Sequence, residues 1–148
     1  MFDTNGISSD KFGAGDATDV QFITFVLRAM GYSDANGEDF TWDKPYELAE
    51  ELGVLDCSVT TGAEFLRADC VSISYNALAA KIKNNSETLA DKLIVDGVFT
   101  KDAYDAATKN ISDYAGMMKA YGLENVKWHE YPKNYQNALR LFLAYYSK

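Results

Sequence analysis

The chain has 148 residues, of which 47% are hydrophobic and only two are proline, and this suits one folded domain or a compact array of small repeats. Its 22 acidic and 14 basic side chains give a formal charge of −8, and this negative field argues against nucleic acid as a partner. No segment approaches the roughly 20 apolar residues that a transmembrane helix needs, so membrane insertion is not expected.

The predicted elements begin with a loop, because residues 2–17 are rich in Gly, Ser and Asp. Thr18 and Gln21 are spaced as in a capping box, and they predict a first helix over 19–30. The turn that follows, 34–39, has the residue types of a calcium loop without the spacing of an EF-hand. A solvated acidic turn is therefore favoured over a calcium site.

The next two predicted helices carry the clearest apolar stripes. One begins after Pro45 and is expected to turn Glu50 toward solvent. The other is expected over 67–82, where six residues recur at helical spacing and are predicted to face inward. These six are Ala68, Val71, Tyr75, Leu78, Ala79 and Ile82.

The rest of the chain is also predicted to be helical. Thr100 is expected to cap a short helix, and further helices are expected over 112–121 and after Pro132. The last helix is predicted to present five residues on one face, namely Tyr135, Ala138, Leu139, Phe142 and Leu143. No alternating strand pattern is longer than a few residues, so the fold class is predicted to be all-α.

The most informative feature is a run that occurs twice, 48 residues apart. The first copy runs from Thr18 to Tyr32, and the second, less well preserved, runs from Phe65 to Leu78. A repeat of this length indicates modules that share a core.

The repeat resembles the S-layer homology (SLH) family over about residues 6–98. SLH modules pair a helix ending in Gly-Ile with a second helix that opens on Thr-Arg-Ala-Glu and closes near Leu-x-Arg-Ala-Leu-Gly. The resemblance implies a helical repeat array of SLH-like helix-loop-helix modules plus C-terminal helices. Residues 1–33 would be the second half of one module and 34–83 a complete module. Residues 84–148 would hold a degenerate third module and the C-terminal helices.

The resemblance also implies a function, which is a non-catalytic module that anchors a parent protein to the Gram-positive cell wall. The ligand would be an anionic secondary cell wall polysaccharide, and other modules of the same parent chain would be further partners. In the family, the Arg of Thr-Arg-Ala-Glu contacts this polymer in a groove between modules, and Arg67 stands at that position. Trp42 and Lys44 complete the expected ligand-binding set, with Trp42 acting either as an exposed platform for sugar rings or as a staple on its own helix.

Three departures from the family pattern leave an alternative open. Asp19 stands where the first copy should have its Arg, Gln21 replaces the Glu there, and Leu66 replaces the capping Thr of the second copy. Arg67 could also pair with Asp69 or Glu64 instead of a ligand. The alternative function is a structural or protein-interaction domain whose carbohydrate site has decayed.

Chemistry other than binding finds little support in the sequence. His129 is the single histidine, it lies beside a Glu in what is expected to be a solvated loop, and no motif supplies a nucleophile. No enzyme activity, cofactor or metal is therefore expected. Cys57 and Cys70 are compatible either with a disulfide or with two free thiols.

The beginning of the chain lacks the basic start and apolar core of a signal peptide. That leaves a cytoplasmic protein or a piece of a longer secreted one. The resemblance favours an extracellular, wall-associated fragment of a longer protein, because a leading half-module would otherwise expose an apolar face.

Overall fold

The computed structural model describes residues 15–109, 113–123 and 125–146, and this part of the chain is mostly helical with no strand, as the sequence predicts. The α-helices are α1 (Asp19–Ala29), α2 (Tyr46–Glu51), α3 (Arg67–Ala79), α4 (Leu89–Val95), α5 (Lys101–Thr108), α6 (Tyr114–Ala120) and α7 (Lys133–Tyr146). Two 3₁₀ turns lie at Ala35–Gly37 and Trp128–Glu130. None of the described helices is both long enough and apolar enough to cross a bilayer. Most of the loop predicted over 2–17 lies outside the described residues.

Local side-chain caps explain where the helices begin. The predicted capping box of α1 is confirmed, since Thr18 Oγ1 accepts from the Gln21 N–H at 3.2 Å and Gln21 Oε1 accepts from the Thr18 N–H at 3.1 Å. Thr88 and Asp91 form the same arrangement at the start of α4. Thr100 caps α5 as expected, by accepting from the Ala103 N–H.

The main core lies among α1, α2, α3 and the turns between them. α1 packs against both α2 and α3, and α3 also packs against α4. The fully or nearly buried residues of this core are Ile23, Leu27, Met30, Phe40, Ala49, Val54, Leu55, Val59, Ile73, Ala77 and Ala80. Their burial provides the principal driving force for this arrangement of helices.

The inward face predicted over 67–82 is only partly right, and α3 ends earlier, at Ala79. Tyr75, Leu78 and Ile82 are half-buried, whereas Ala68, Val71 and Ala79 are exposed. Ile73 is fully buried and Ala77 nearly so, whereas Val71, which was expected inside, is 65% exposed. α3 carries apolar residues on two faces, and its packing against α1 and α4 buries the face that contains Ile73 and Ala77. The repeat therefore places the beginnings of α1 and α3 48 residues apart, but the two helices bury different faces.

A second core joins the C-terminal helices to the loop that follows α2. It consists of Cys57, Met118, Trp128 and Leu143. The predicted face of α7 is only partly right, because Leu143 is buried but Tyr135 is 65% exposed. Gln136 of the same helix is 1% exposed instead.

Candidate functional site

Arg67 is the first residue of α3, and its side chain is exposed. It forms no salt bridge with any residue that the structure describes. The pairing with Asp69 that the sequence left open is not formed, because the Asp69 carboxylate is buried and accepts from the Leu66 N–H at 2.7 Å. That bond is one half of a capping box. Leu66 has no side-chain oxygen and cannot form the other half.

Arg67 lines an open groove of about 720 Å³ between the beginnings of α1 and α3. The groove is lined by Asp16, Ala17, Thr18, Asp19, Val20, Tyr46, Gly62, Ala63, Glu64, Phe65, Leu66, Arg67 and Cys70. The first turns of both helices thus border the same space. Each first turn carries a buried carboxylate, Asp19 in α1 and Asp69 in α3, at the positive end of its helix dipole.

Asp19 has a structural role in this groove. It is 4% exposed, and its Oδ2 accepts from the Tyr46 hydroxyl at 2.7 Å and from the Gly62 N–H at 2.6 Å. Burial, together with the bond to Asp19, raises the pKa of the Tyr46 phenol. The Asp19 carboxylate therefore joins α1 to α2 and to the loop at Gly62.

Two further carboxylates, those of Asp16 and Glu64, are exposed in the groove. Carboxylate oxygens accept hydrogen bonds from hydroxyl groups, whereas a guanidinium donates to an anionic group through two parallel bonds. The groove therefore offers complementary partners to a ligand that carries both hydroxyl and acidic groups, as acidic sugars do.

Trp42 and Lys44, the other two predicted site residues, do not line this groove. They lie in the turn before α2, where the Lys44 N–H donates to the Thr41 carbonyl at 2.9 Å. The Trp42 side chain is 56% exposed, which fits an exposed platform better than a staple. The structure thus does not bring Arg67 together with the other two residues in one groove.

No family model, curated protein or solved structure gives a significant match to this chain. The likeness to SLH modules therefore stays a prediction from the sequence.

His129 and Glu50 form a contact that sequence reasoning missed. The His129 N–H donates to Glu50 Oε1 at 2.6 Å, and His129 Nδ1 lies 2.8 Å from Glu50 Oε2. The imidazole also stacks on the Tyr46 ring, with 5.6 Å between the ring centroids. The expectation of a solvated loop at His129 and of a solvent-facing Glu50 is wrong, because docking of the Trp128–Glu130 turn on α2 covers both side chains. Burial raises the pKa of the Glu50 carboxyl.

The acidic turn over 34–39 is held by ion pairs. Asp34 accepts two bonds from the Arg28 guanidinium, at 2.8 and 2.6 Å, and Asp39 accepts from Lys83 Nζ at 2.7 Å. The Arg28 hydrogen bond lowers the pKa of the Asp34 carboxyl. The described part of the chain contains no group of three metal-ligating side chains.

The two cysteines are free thiols in different environments. Cys57 is fully buried in the second core, and this burial raises the pKa of its thiol to about 12. Cys70 is half-buried and lines the Arg67 groove.

Proposed function

We propose that the chain is a non-catalytic module that anchors a parent protein to the cell wall by binding a wall-linked anionic polysaccharide in the Arg67 groove. The observation that carries the proposal is the exposed guanidinium of Arg67, which has no ion-pair partner among the described residues and lines a groove between two helix N-termini. A planar guanidinium suits a carboxylate or phosphate substituent, because it can donate two charge-assisted hydrogen bonds to it.

The remainder of the proposal follows the resemblance. The helices form an array of SLH-like modules, the chain is part of a longer secreted protein, and neighbouring modules of that protein are further partners. Trp42 and Lys44 are proposed as a second contact for an extended polymer. Their separation from the groove is compatible with a ligand of several sugar units.

The test is co-sedimentation of the purified chain with Gram-positive wall sacculi, before and after removal of the attached polymer with hydrofluoric acid. Binding is expected to disappear on stripping. Arg67→Ala should weaken binding by about tenfold to a hundredfold, since hydrogen bonds to charged groups contribute about 1.5–3 kcal/mol.

Lys109→Ala is the matched control, because it also removes one exposed positive charge and Lys109 does not line the groove. It should bind like the unaltered chain. Equal binding of a folded Arg67→Ala variant would exclude the groove as the polymer site. Trp42→Ala in the same assay tests the second contact.

The alternative is a structural or protein-interaction domain whose carbohydrate site has decayed. Asp19 is the observation that favours it, because the position that carries an Arg in the family is here a buried carboxylate bonded to Tyr46 and Gly62. Under this alternative, the chain sediments with neither sacculus preparation.

A further inference from the structure

Gln136 of α7 holds the chain segment that leads into the groove. Its side chain is 1% exposed, although the residue is polar and lies on the C-terminal helix. Gln136 Oε1 accepts from the Thr61 N–H at 2.9 Å, and Gln136 Nε2 donates to Thr61 Oγ1 and to the Tyr131 carbonyl, both at 2.9 Å. The amide thus uses both its acceptor and its donors in a place where an unpaired polar group would be costly.

Two further bonds from α7 flank this contact. The Thr60 hydroxyl donates to Asn137 Oδ1 at 2.8 Å, and Lys133 Nζ donates to the Gly62 carbonyl. Three consecutive residues, 60–62, are therefore bound by one face of α7. They lead into residues 62–67, which we call the groove wall because each of these residues lines the Arg67 groove. Gly62 belongs to both ranges.

The groove wall is held from its other side by α1. The Gly62 N–H donates to the buried Asp19 carboxylate, while its carbonyl accepts from Lys133. Gly62 has a positive φ of 64°, a conformation that favours glycine and that bonds from two sides keep in place. The position of the wall relative to α1 is thus fixed jointly by Asp19 and by α7.

We infer that Gln136 is a positioning residue for the groove wall, so that the C-terminal segment, which the SLH resemblance does not cover, sets the affinity of the Arg67 groove for its ligand. The part of this inference that concerns affinity rests on the proposed function. The part that concerns the wall depends only on the contacts of residues 60–62.

The experiment compares Gln136→Ala with Met118→Ala in the full chain. Met118 belongs to the second core and is 8% exposed, so its truncation lowers the stability of the folded chain without removing any bond to residues 60–62. Hydrogen exchange of the Gly62 amide is followed by NMR at a temperature where both variants are folded, and wall binding is measured by co-sedimentation. Gly62 is the reporter because its N–H is bonded to Asp19 and not to Gln136.

Gln136→Ala should accelerate hydrogen exchange at Gly62 and weaken binding to cell-wall sacculi, each by about tenfold. A tenfold change is what the loss of one buried hydrogen bond is expected to cause. Met118→Ala should change neither. The inference is overturned if exchange at Gly62 is unchanged in Gln136→Ala, if exchange rises without loss of binding, or if Met118→Ala has the same effects.

Two provisions separate this test from the test of the proposed function. If the unaltered chain does not bind cell-wall sacculi, the proposed function fails. Exchange at Gly62 still decides whether Gln136 positions the groove wall. If Gln136→Ala does not fold, Asn137→Ala replaces it, because Asn137 is exposed and its removal takes away one bond to residues 60–62, that of the Thr60 hydroxyl, together with a longer bond from Arg140 within α7.

Discussion

Truncation of Asp19 should reveal how strongly its carboxylate joins three parts of the fold. Asp19→Ala removes a buried carboxylate that accepts from the Tyr46 hydroxyl and from the Gly62 N–H through two partly buried bonds. Each hydrogen bond to a charged group contributes about 1.5–3 kcal/mol, so the loss for the pair should be about 3 kcal/mol or more. For a chain of this size, that corresponds to a fall in Tm of about 6–12 °C.

A double-mutant cycle isolates the bond between Asp19 and Tyr46. Tyr46→Phe removes only the hydroxyl, and we expect it to lower the free energy of unfolding by about 1.5 kcal/mol. The double variant should lose less than the sum of the single losses, with a coupling energy of about 1–2 kcal/mol, because both changes remove the same bond. The free energies are measured by urea unfolding, followed by far-UV circular dichroism.

Asp16→Ala is the control for this cycle, because Asp16 is an exposed carboxylate of the same groove. Its effect on stability should stay within about 0.5 kcal/mol. A coupling energy within about 0.3 kcal/mol of zero would refute the reasoning, since independent sites add. It would mean that the Tyr46 hydroxyl does not depend on Asp19 in solution.

Three other predictions concern the thiols, the orientation of α3 and the response to acid. In the folded protein, Ellman's reagent should react with Cys70 before Cys57, whose pKa is raised to about 12 by burial, and equal rates would contradict the burial. Urea unfolding should show a loss of about 2–5 kcal/mol for Ile73→Ala and less than about 0.5 kcal/mol for Val71→Ala, and the reverse order would contradict the observed face. Because the arginine beside Asp34 lowers the pKa of that carboxyl, its contribution to stability is complete above the ordinary Asp pKa and is lost as the pH falls below it. Asp34→Asn should therefore reduce stability at neutral pH and weaken its dependence on acid pH, as thermal unfolding across a pH series can measure.

The features that could be predicted from the sequence are local ones. The capping box of α1 joins Thr18 to Gln21, so both partners lie within one turn of each other and their pattern is visible in the sequence. The all-α class follows in the same way from helical periodicity over short windows. The start of α3 at Arg67 is likewise predicted from the sequence.

The features that could not be predicted depend on distant partners. α3 has apolar residues on two faces, and only the packing of α1 and α4 decides that Ile73 is buried and Val71 is exposed. Gln136 has the character of a surface residue in the sequence, and its burial depends on Thr61, which lies 75 positions earlier. The helical pattern predicts that Glu50 faces solvent. Its partner, His129, could not be recognised from the sequence because it is 79 positions away.

The contacts of Gln136 also bear on how the chain acquires its structure during synthesis. The bonds that hold residues 59–62 join them to Trp128 and to α7, across 69 to 77 positions of the chain. Contacts of such long sequence separation form slowly, because the intervening chain must first be ordered. During translation, α1, α2 and α3 can assemble their core before α7 has left the ribosome. The groove wall beside Arg67, like the second core, is therefore a part of the molecule whose folding must wait for α7.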